Sequence, residues 1–319
     1  MPSRTPRQQP GGSRRGPHRG WLTLLVVLLA ALVIGVGPAQ LSEFATGLFF
    51  HRPAAANIPP PPSHSEVDLQ TRLQPVASSL SRGHLALAAI DLQTGATATV
   101  DSARSYPAAS LFKLPILMAV LDQENSGQLD PDRMLEIQPD DWTDGSGVLQ
   151  DRVGDRLSVR ELTQLMIKDS DNIAALVLLD VIGASGANAT AERLGLEATH
   201  VVDHRAGEDG DHTTSADDMA RLLFELATGE AVNQHVSEQA LSLLEAKQSV
   251  TWLADDLPFW VKVAHKWGDL PDARHDAGIV FAPRGSFVLA VLTQDAAPDE
   301  AAALIARASR VTYDYLGSR

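Results

Sequence analysis

The chain has no cysteine in its 319 residues. That excludes disulfides, thiolate metal sites and a lipid-bearing N-terminal cysteine, while by itself leaving the compartment open. Positive charge is scarce over most of the length. Residues 53–319 carry 20 Lys and Arg against 39 Asp and Glu, a balance of −19 within an overall −14. An acidic body offers no basic surface to neutralise phosphates, which argues against a nucleic-acid partner. Lysine is rarer still, with five against 23 serines. Chance therefore supplies only roughly a third of one S-x-x-K match in the whole chain. No internal repeat is present.

The basic residues that do exist are unevenly placed. Residues 1–20 hold five arginines and no acid, and Trp21 to Gly37 then run 17 residues without a charge. As a helix that run is roughly 25 Å long, the short end of a bilayer span. The arginines are expected to stay cytoplasmic and send the remainder across, giving an extracytoplasmic domain on an N-terminal membrane anchor. A cleaved secretory signal is the alternative, with Gly37-Pro38-Ala39 as a poor cleavage site. Arg14-Arg15 is a weak twin-arginine signal, because Gly16-Pro17 follow rather than an apolar pair. Residues 38–65 read as a Pro/Ala-rich linker, with Pro59 to Pro62 as a stiff spacer. Residues 66–319 are left as one catalytic-sized body, in a chain whose 44% apolar content suits a globular core.

Within the body, Ser110-Leu111-Phe112-Lys113 sets a serine and a lysine one helical turn apart. A serine hydroxyl needs a base within hydrogen-bond reach to act as a nucleophile, and positions i and i+3 share a helix face. A buried helix follows through Leu114, Ile116, Leu117, Val120 and Leu121. The plainer reading of Ser110 is an ordinary helix N-cap. Sixty residues on, Ser170-Asp171-Asn172 precedes another apolar helical run, and its serine has the same plain alternative as a cap. Near the C-terminus a strand-like Val261-Lys262-Val263-Ala264 leads into His265-Lys266-Trp267-Gly268.

S-x-x-K, S-D-N and a K-x-G in this order resemble the penicillin-recognising serine enzymes, and most closely the class A β-lactamase family. The resemblance runs from about Glu66 to Arg319. It implies an α+β fold of the β-lactamase/transpeptidase type, an antiparallel sheet flanked by helices with a helical subdomain bearing Ser110 and Ser170. It also implies chemistry without a cofactor or metal. By the resemblance, Ser110 is acylated with Lys113 as its base, and Ser170 passes the proton to the leaving nitrogen. Asn172 orients Lys113 and the substrate amide, while Lys266 pairs with the substrate carboxylate. The N–H groups of Ser110 and Asp269, one past Gly268, form the oxyanion hole. A nearby cation such as Lys266 is expected to depress the pKa of Lys113. Ser146, in Asp144-Gly145-Ser146-Gly147, falls where relatives place a loop lining the cleft. Arg274 reads either as a second positive charge for a carboxylate or as a surface arginine.

The pattern departs from the family twice. Residues 196–213 lack the E-x-x-L-N stretch whose glutamate activates the deacylating water. Glu208 is the one glutamate between Thr199 and Thr213, with Asp203, Asp209 and Asp211 as further carboxylates. Each is a substitute base or a solvated loop charge. Trp267 stands where threonine or serine is expected, and either narrows the cleft, stacks on a substrate ring or packs under a loop. His200, Asp203, His204, Asp209, Asp211 and His212 fall within 13 residues, a composition that also suits a divalent metal, although the glycines there argue for an extended turn.

Three functions follow. The first is a serine acyl-enzyme hydrolase that opens a β-lactam or related amide through an ester on Ser110. The second is a penicillin-binding, peptidoglycan-type peptidase or slowly deacylating acceptor, which the missing glutamate favours. The third is a non-catalytic cell-envelope binding module. Secondary structure is expected as a hairpin over 85–100, helices at 110–124, 157–168, 172–182, 216–227 and 237–247, strands at 259–265, 275–281 and 286–292, and a closing helix from 300 to 316.

Overall fold

The protein is described by a computed structural model over residues 66–317. The basic tail, the apolar run 21–37 and the linker through residue 65 lie outside the described residues. Among those described, no single helix is long and apolar enough to span a bilayer.

A five-stranded antiparallel sheet forms the centre, in the order β2-β1-β9-β8-β7. Its strands are β1 (His84–Asp91), β2 (Thr97–Val100), β7 (Lys262–Leu270), β8 (Ala273–Phe281) and β9 (Phe287–Gln294). The two chain-terminal portions are thus stitched together by β1 against β9, with Leu87 opposite Val291 and Ala89 opposite Leu289. In β9, Phe287 to Thr293 are all buried, because both faces of the sheet are covered. One face carries α1 (Glu66–Ser78) and α8 (Pro298–Thr312), with Leu69, Leu73, Phe287, Leu304 and Ile305 between them. The other face receives the helical subdomain. This comprises α2 (Lys113–Asn125), α3 (Val159–Lys168), α4 (Asn172–Ile182), α5 (Ala184–Arg193), α6 (Ala216–Thr228) and α7 (Gln234–Leu244). Short ladders pair β3 (Tyr106–Pro107) with β6 (Thr213–Thr214), and β4 (Met134–Glu136) with β5 (Arg156–Ser158).

Helix α2 is the axis of that subdomain. Every residue from Lys113 to Leu121 is buried, so it reads as an apolar helix all round rather than as an amphipathic one. Three of the other helices of the subdomain start on these side-chain caps. Ser158 and Glu161 form a capping box on α3, Asp171 caps α4 through Ala174 N, and Ser215 caps α6 through Asp218 N.

The expected architecture, strands from both ends around a helical insert, is the one observed. Two helices escaped the sequence reading. Helix α1 contains Pro75, and the α5 segment Ala-Ser-Gly-Ala-Asn-Ala-Thr-Ala has little apolar periodicity. The strand expected to stop at His265 continues to Leu270, so the Lys266-Trp267-Gly268 triplet lies within β7.

Candidate active site

Ser110 sits in a 3-10 turn, Ala109–Phe112, that feeds directly into α2. It caps neither element: no side chain caps the turn, and the N-cap of α2 is Phe112. Its hydroxyl faces Lys113 instead, with Nζ 3.2 Å from Ser110 Oγ. The cap at the start of α4 likewise belongs to Asp171, leaving Ser170 free for other contacts. Two non-glycine residues hold left-handed backbone beside the reacting groups, Ala109 at φ 43° and Ser170 at φ 52°. Strain of this kind costs on the order of 1–3 kcal/mol each and persists where the surroundings enforce it.

The two lysines meet at Ser170. Lys113 Nζ donates to Ser170 O at 2.5 Å and to Asn172 Oδ1 at 2.7 Å, and lies 3.2 Å from Ser170 Oγ. Lys266 Nζ donates to Ser170 Oγ at 3.0 Å and to Trp267 O at 2.7 Å. Both lysines have no exposed surface. Burial pushes Lys113 down to about 7, partly opposed by the Asp171 carboxylate. Lys266 is held well below the usual lysine range, first by burial and then by Lys113. Burial is the main cause for both lysines, and the repulsion between the two ammonium groups, which acts equally on each, adds to it. Neutral Lys113 is abundant near neutral pH, as a general base requires.

Asp171 ties a second loop to the start of α4, a role the sequence reading passed over. Its Oδ2 accepts from Val148 N at 2.6 Å and Leu149 N at 3.1 Å, which clamps the 145–149 loop to the start of α4. Gly147, at φ 133°, gives the space this carboxylate occupies. Asn172 completes the clamp, its N–H donating to Ser146 O at 3.0 Å and its Nδ2 to Asp144 O at 3.0 Å. Ser146, expected in the cleft, is held by its backbone at the start of α4 and is not among the residues that line the cleft beside Ser110.

On the opposite wall, Gly268 lets β7 lie against the nucleophile turn. A Cβ at that position would fall 2.9 Å from Ala109 Cβ and 3.2 Å from Ser110 N. Gly268→Ala is expected to cost about 1–3 kcal/mol of stability by overpacking. By widening the gap between β7 and Ser110 N, it is also expected to slow acylation at least tenfold. Thermal unfolding and single-turnover acylation check the two effects separately.

The cleft beside Ser110 has a volume of about 200 Å³ and is lined by Pro107, Ala109, Phe112, Asn172, Asp211, His212, Asp269 and Leu270. Trp267 is absent from that lining. It is 5% exposed and packs edge-on against Trp252, ring centroids 6.2 Å apart, so of the three expectations the packed one describes it. Arg274 is neither a solvated surface group nor a free charge at the cleft. It pairs with Asp269 and donates to Leu270 O and Ala273 O.

Glu208 is engaged within its own loop, 2.6 Å from His200 Nε2 and accepting from Asp203 N at 2.8 Å. The loop side chains that reach the Ser110 cleft are Asp211 and His212. His212 stacks on Phe112 at 4.0 Å, and its Nδ1 accepts from Val202 N. Burial takes His212 down to about 4, so its ring is neutral at pH 7. Among the described residues, no group of three or more His, Asp or Glu is placed to hold a metal.

A serine hydroxyl beside a lysine of lowered pKa, with a second serine bridging two lysines, is the arrangement that serine acyl-transfer chemistry requires. The model of the β-lactamase enzyme family matches residues 68–316, and the chain belongs to that family of serine hydrolases. Solved structures agree. PBP-A is 27% identical with a TM-score of 0.72, covering 80% of this chain and 97% of its own. Its leucine-to-glutamate mutant, solved as an acyl-enzyme complex with penicillin G, is 28% identical with a TM-score of 0.73 over 80% and 98%. An ancestral class A β-lactamase is 27% identical with a TM-score of 0.70 over 77% and 99%.

Proposed function

We propose that the protein opens a β-lactam or related amide through an ester on Ser110, and that the ester is released slowly relative to its formation. The observation that carries this reading is Ser170 Oγ held between Lys113 and Lys266, with Lys113 also on Ser110. Neutral Lys113 takes the Ser110 proton as Oγ attacks the carbonyl carbon. Negative charge on the carbonyl oxygen is met by the N–H groups of Ser110 and Asp269. Ser170 relays a proton to the nitrogen as the C–N bond breaks, leaving an ester. Water later cleaves that ester and restores Ser110. Lys266 gains its charge when a substrate carboxylate arrives to pair with it.

Release is the step for which the cleft is poorly equipped. Glu208 is committed to His200 and the Asp269 carboxylate to Arg274, which leaves Asp211 and the weakly basic His212 in the lining. This favours, as a second reading, a penicillin-binding acceptor or peptidoglycan-type peptidase. Residues 1–37 support an extracytoplasmic domain tethered by the apolar run 21–37, tested by the intact mass of the membrane-extracted protein.

Acylation should follow the neutral fraction of Lys113. That form grows as pH rises through about 7, so the acylation rate is expected to increase roughly tenfold from pH 6 to pH 8 and then level off. Single-turnover reaction with benzylpenicillin, read by intact mass across this range, tests the base assignment. A flat profile would reject it.

A further inference from the structure

The largest exposed apolar feature lies outside the cleft. Phe259 is 97% exposed and Trp260 61% exposed, and their rings meet edge-on at 5.4 Å. The loop that carries them is braced. Leu257 N donates to Ala254 O at 3.0 Å, Val261 N donates to Pro258 O at 2.9 Å, and Arg310 donates to Asp256 O at 3.3 Å. Leu257 and Val261 pack on the core beneath α1 and α8, so two rings project from a fixed base.

The tip is at the end of the domain where the chain enters. Asp68, in the first turn of α1, accepts from the hydroxyl of Tyr315 just after α8 at 3.5 Å, and Ser81, beyond the other end of α1, bonds Glu300 at the start of α8. Helices α1 and α8 are therefore antiparallel. The beginning of α1 adjoins the end of α8, which also holds the Phe259–Trp260 loop through Arg310. Ser110 lies against Gly268, six residues along β7 from Lys262, or about 20 Å further on. The 28 residues from 38 to 65 connect the apolar run to Glu66.

We infer that Phe259 and Trp260 form an interfacial tip that seats the anchored domain on the membrane surface, with the Ser110 cleft turned away from it. This rests on the anchor reading of residues 21–37. Aromatic rings at the headgroup level are the recurrent solution for a surface contact of this kind. Asp255 and Asp256 flank the tip and the body is acidic, so the partner is a zwitterionic rather than an anionic lipid surface.

The test uses the full chain reconstituted in phosphatidylcholine vesicles, with and without acyl-chain-brominated lipid. The Trp260 fluorescence, taken as wild type minus Trp260→Phe, is expected to fall at least twofold with brominated lipid. Amide exchange over 257–262 is expected to slow at least threefold on transfer from detergent to bilayer, and to stay fast in a Phe259→Ser/Trp260→Ser double variant. An unquenched Trp260 overturns the inference. Exchange that slows with protein density rather than with lipid also overturns it, assigning the tip to a second copy of the chain. If the membrane fraction has lost residues 1–37 by intact mass, the anchor reading fails on its own. In that case, flotation of the remaining protein with phosphatidylcholine vesicles, present in the wild type and absent in the double variant, decides the tip.

Discussion

Full-length protein mixed with excess benzylpenicillin is expected to gain the mass of one whole ligand, located on Ser110, and to retain it for hours. Ser110→Ala should show no adduct at all, because the other hydroxyl beside these lysines, Ser170, has no exposed surface. Formation draws on the positioned base and on the N–H groups of Ser110 and Asp269, terms that contribute roughly 10²–10⁴-fold and 10²–10³-fold respectively in comparable sites. Persistence follows from what the release step lacks. A water over the ester needs a base on the cleft wall. The one glutamate of the 199–213 segment is tied to His200, and His212 is down at about 4. With Asp269 paired to Arg274, Asp211 is the carboxylate left in the lining, and it sharpens the measurement. If Asp211→Asn leaves the adduct lifetime unchanged, the protein is an acceptor with no dedicated deacylating base. If the wild-type adduct decays in seconds and the variant's persists, Asp211 is that base and the protein turns over as a β-lactamase. Absence of any adduct at Ser110 would remove β-lactam recognition altogether.

What was legible in the sequence was local. Ser110 and Lys113 lie one turn apart, and Ser170-Asp171-Asn172 runs directly into α4, so spacing alone puts their side chains beside the right element. What was not legible depends on pairing across the chain. Asp171 reads as the middle of a triplet, yet its carboxylate holds the backbone of Val148 and Leu149, some 22 residues earlier. Arg274 reads as a surface charge until the β7–β8 register places it directly opposite Asp269. Trp267 reads equally as a narrowing of the cleft, a platform for a substrate ring or a packed side chain, and only the fold, by setting Trp252 edge-on against it, selects the last. The loop carboxylates could not be ranked from the sequence, since only folding shows Glu208 turned to His200 and Asp211 turned to the nucleophile.

Lys113→Met is expected to abolish acylation, by at least 10³-fold, and at the same time to stabilise the fold. Methionine has a similar unbranched length and no charge to desolvate, whereas Lys113 has no exposed surface and a pKa moved from 10.5 to about 7. A lysine whose folded pKa is depressed binds its proton less readily when folded than when unfolded. Wild-type stability therefore falls as pH drops from 10.5 towards 7 and is lowest, from this group, below 7. Converted directly, the shift is worth about 5 kcal/mol at most. The hydrogen bonds to Ser170 O and Asn172 Oδ1 that are lost with the ammonium offset much of that. A net gain of about 1–2 kcal/mol remains, or several degrees in Tm. The gain should be largest at pH 6 and should shrink steadily as pH rises towards 10. Ser110→Ala provides the contrast, since it removes activity without removing a buried cation and should leave this pH dependence as in the wild type. Thermal unfolding of the three proteins from pH 6 to pH 10 separates the cases. A Lys113→Met protein that unfolds below the wild type at every pH would show that the lysine holds the cleft together, and that its low pKa is a by-product of packing rather than strain stored for catalysis.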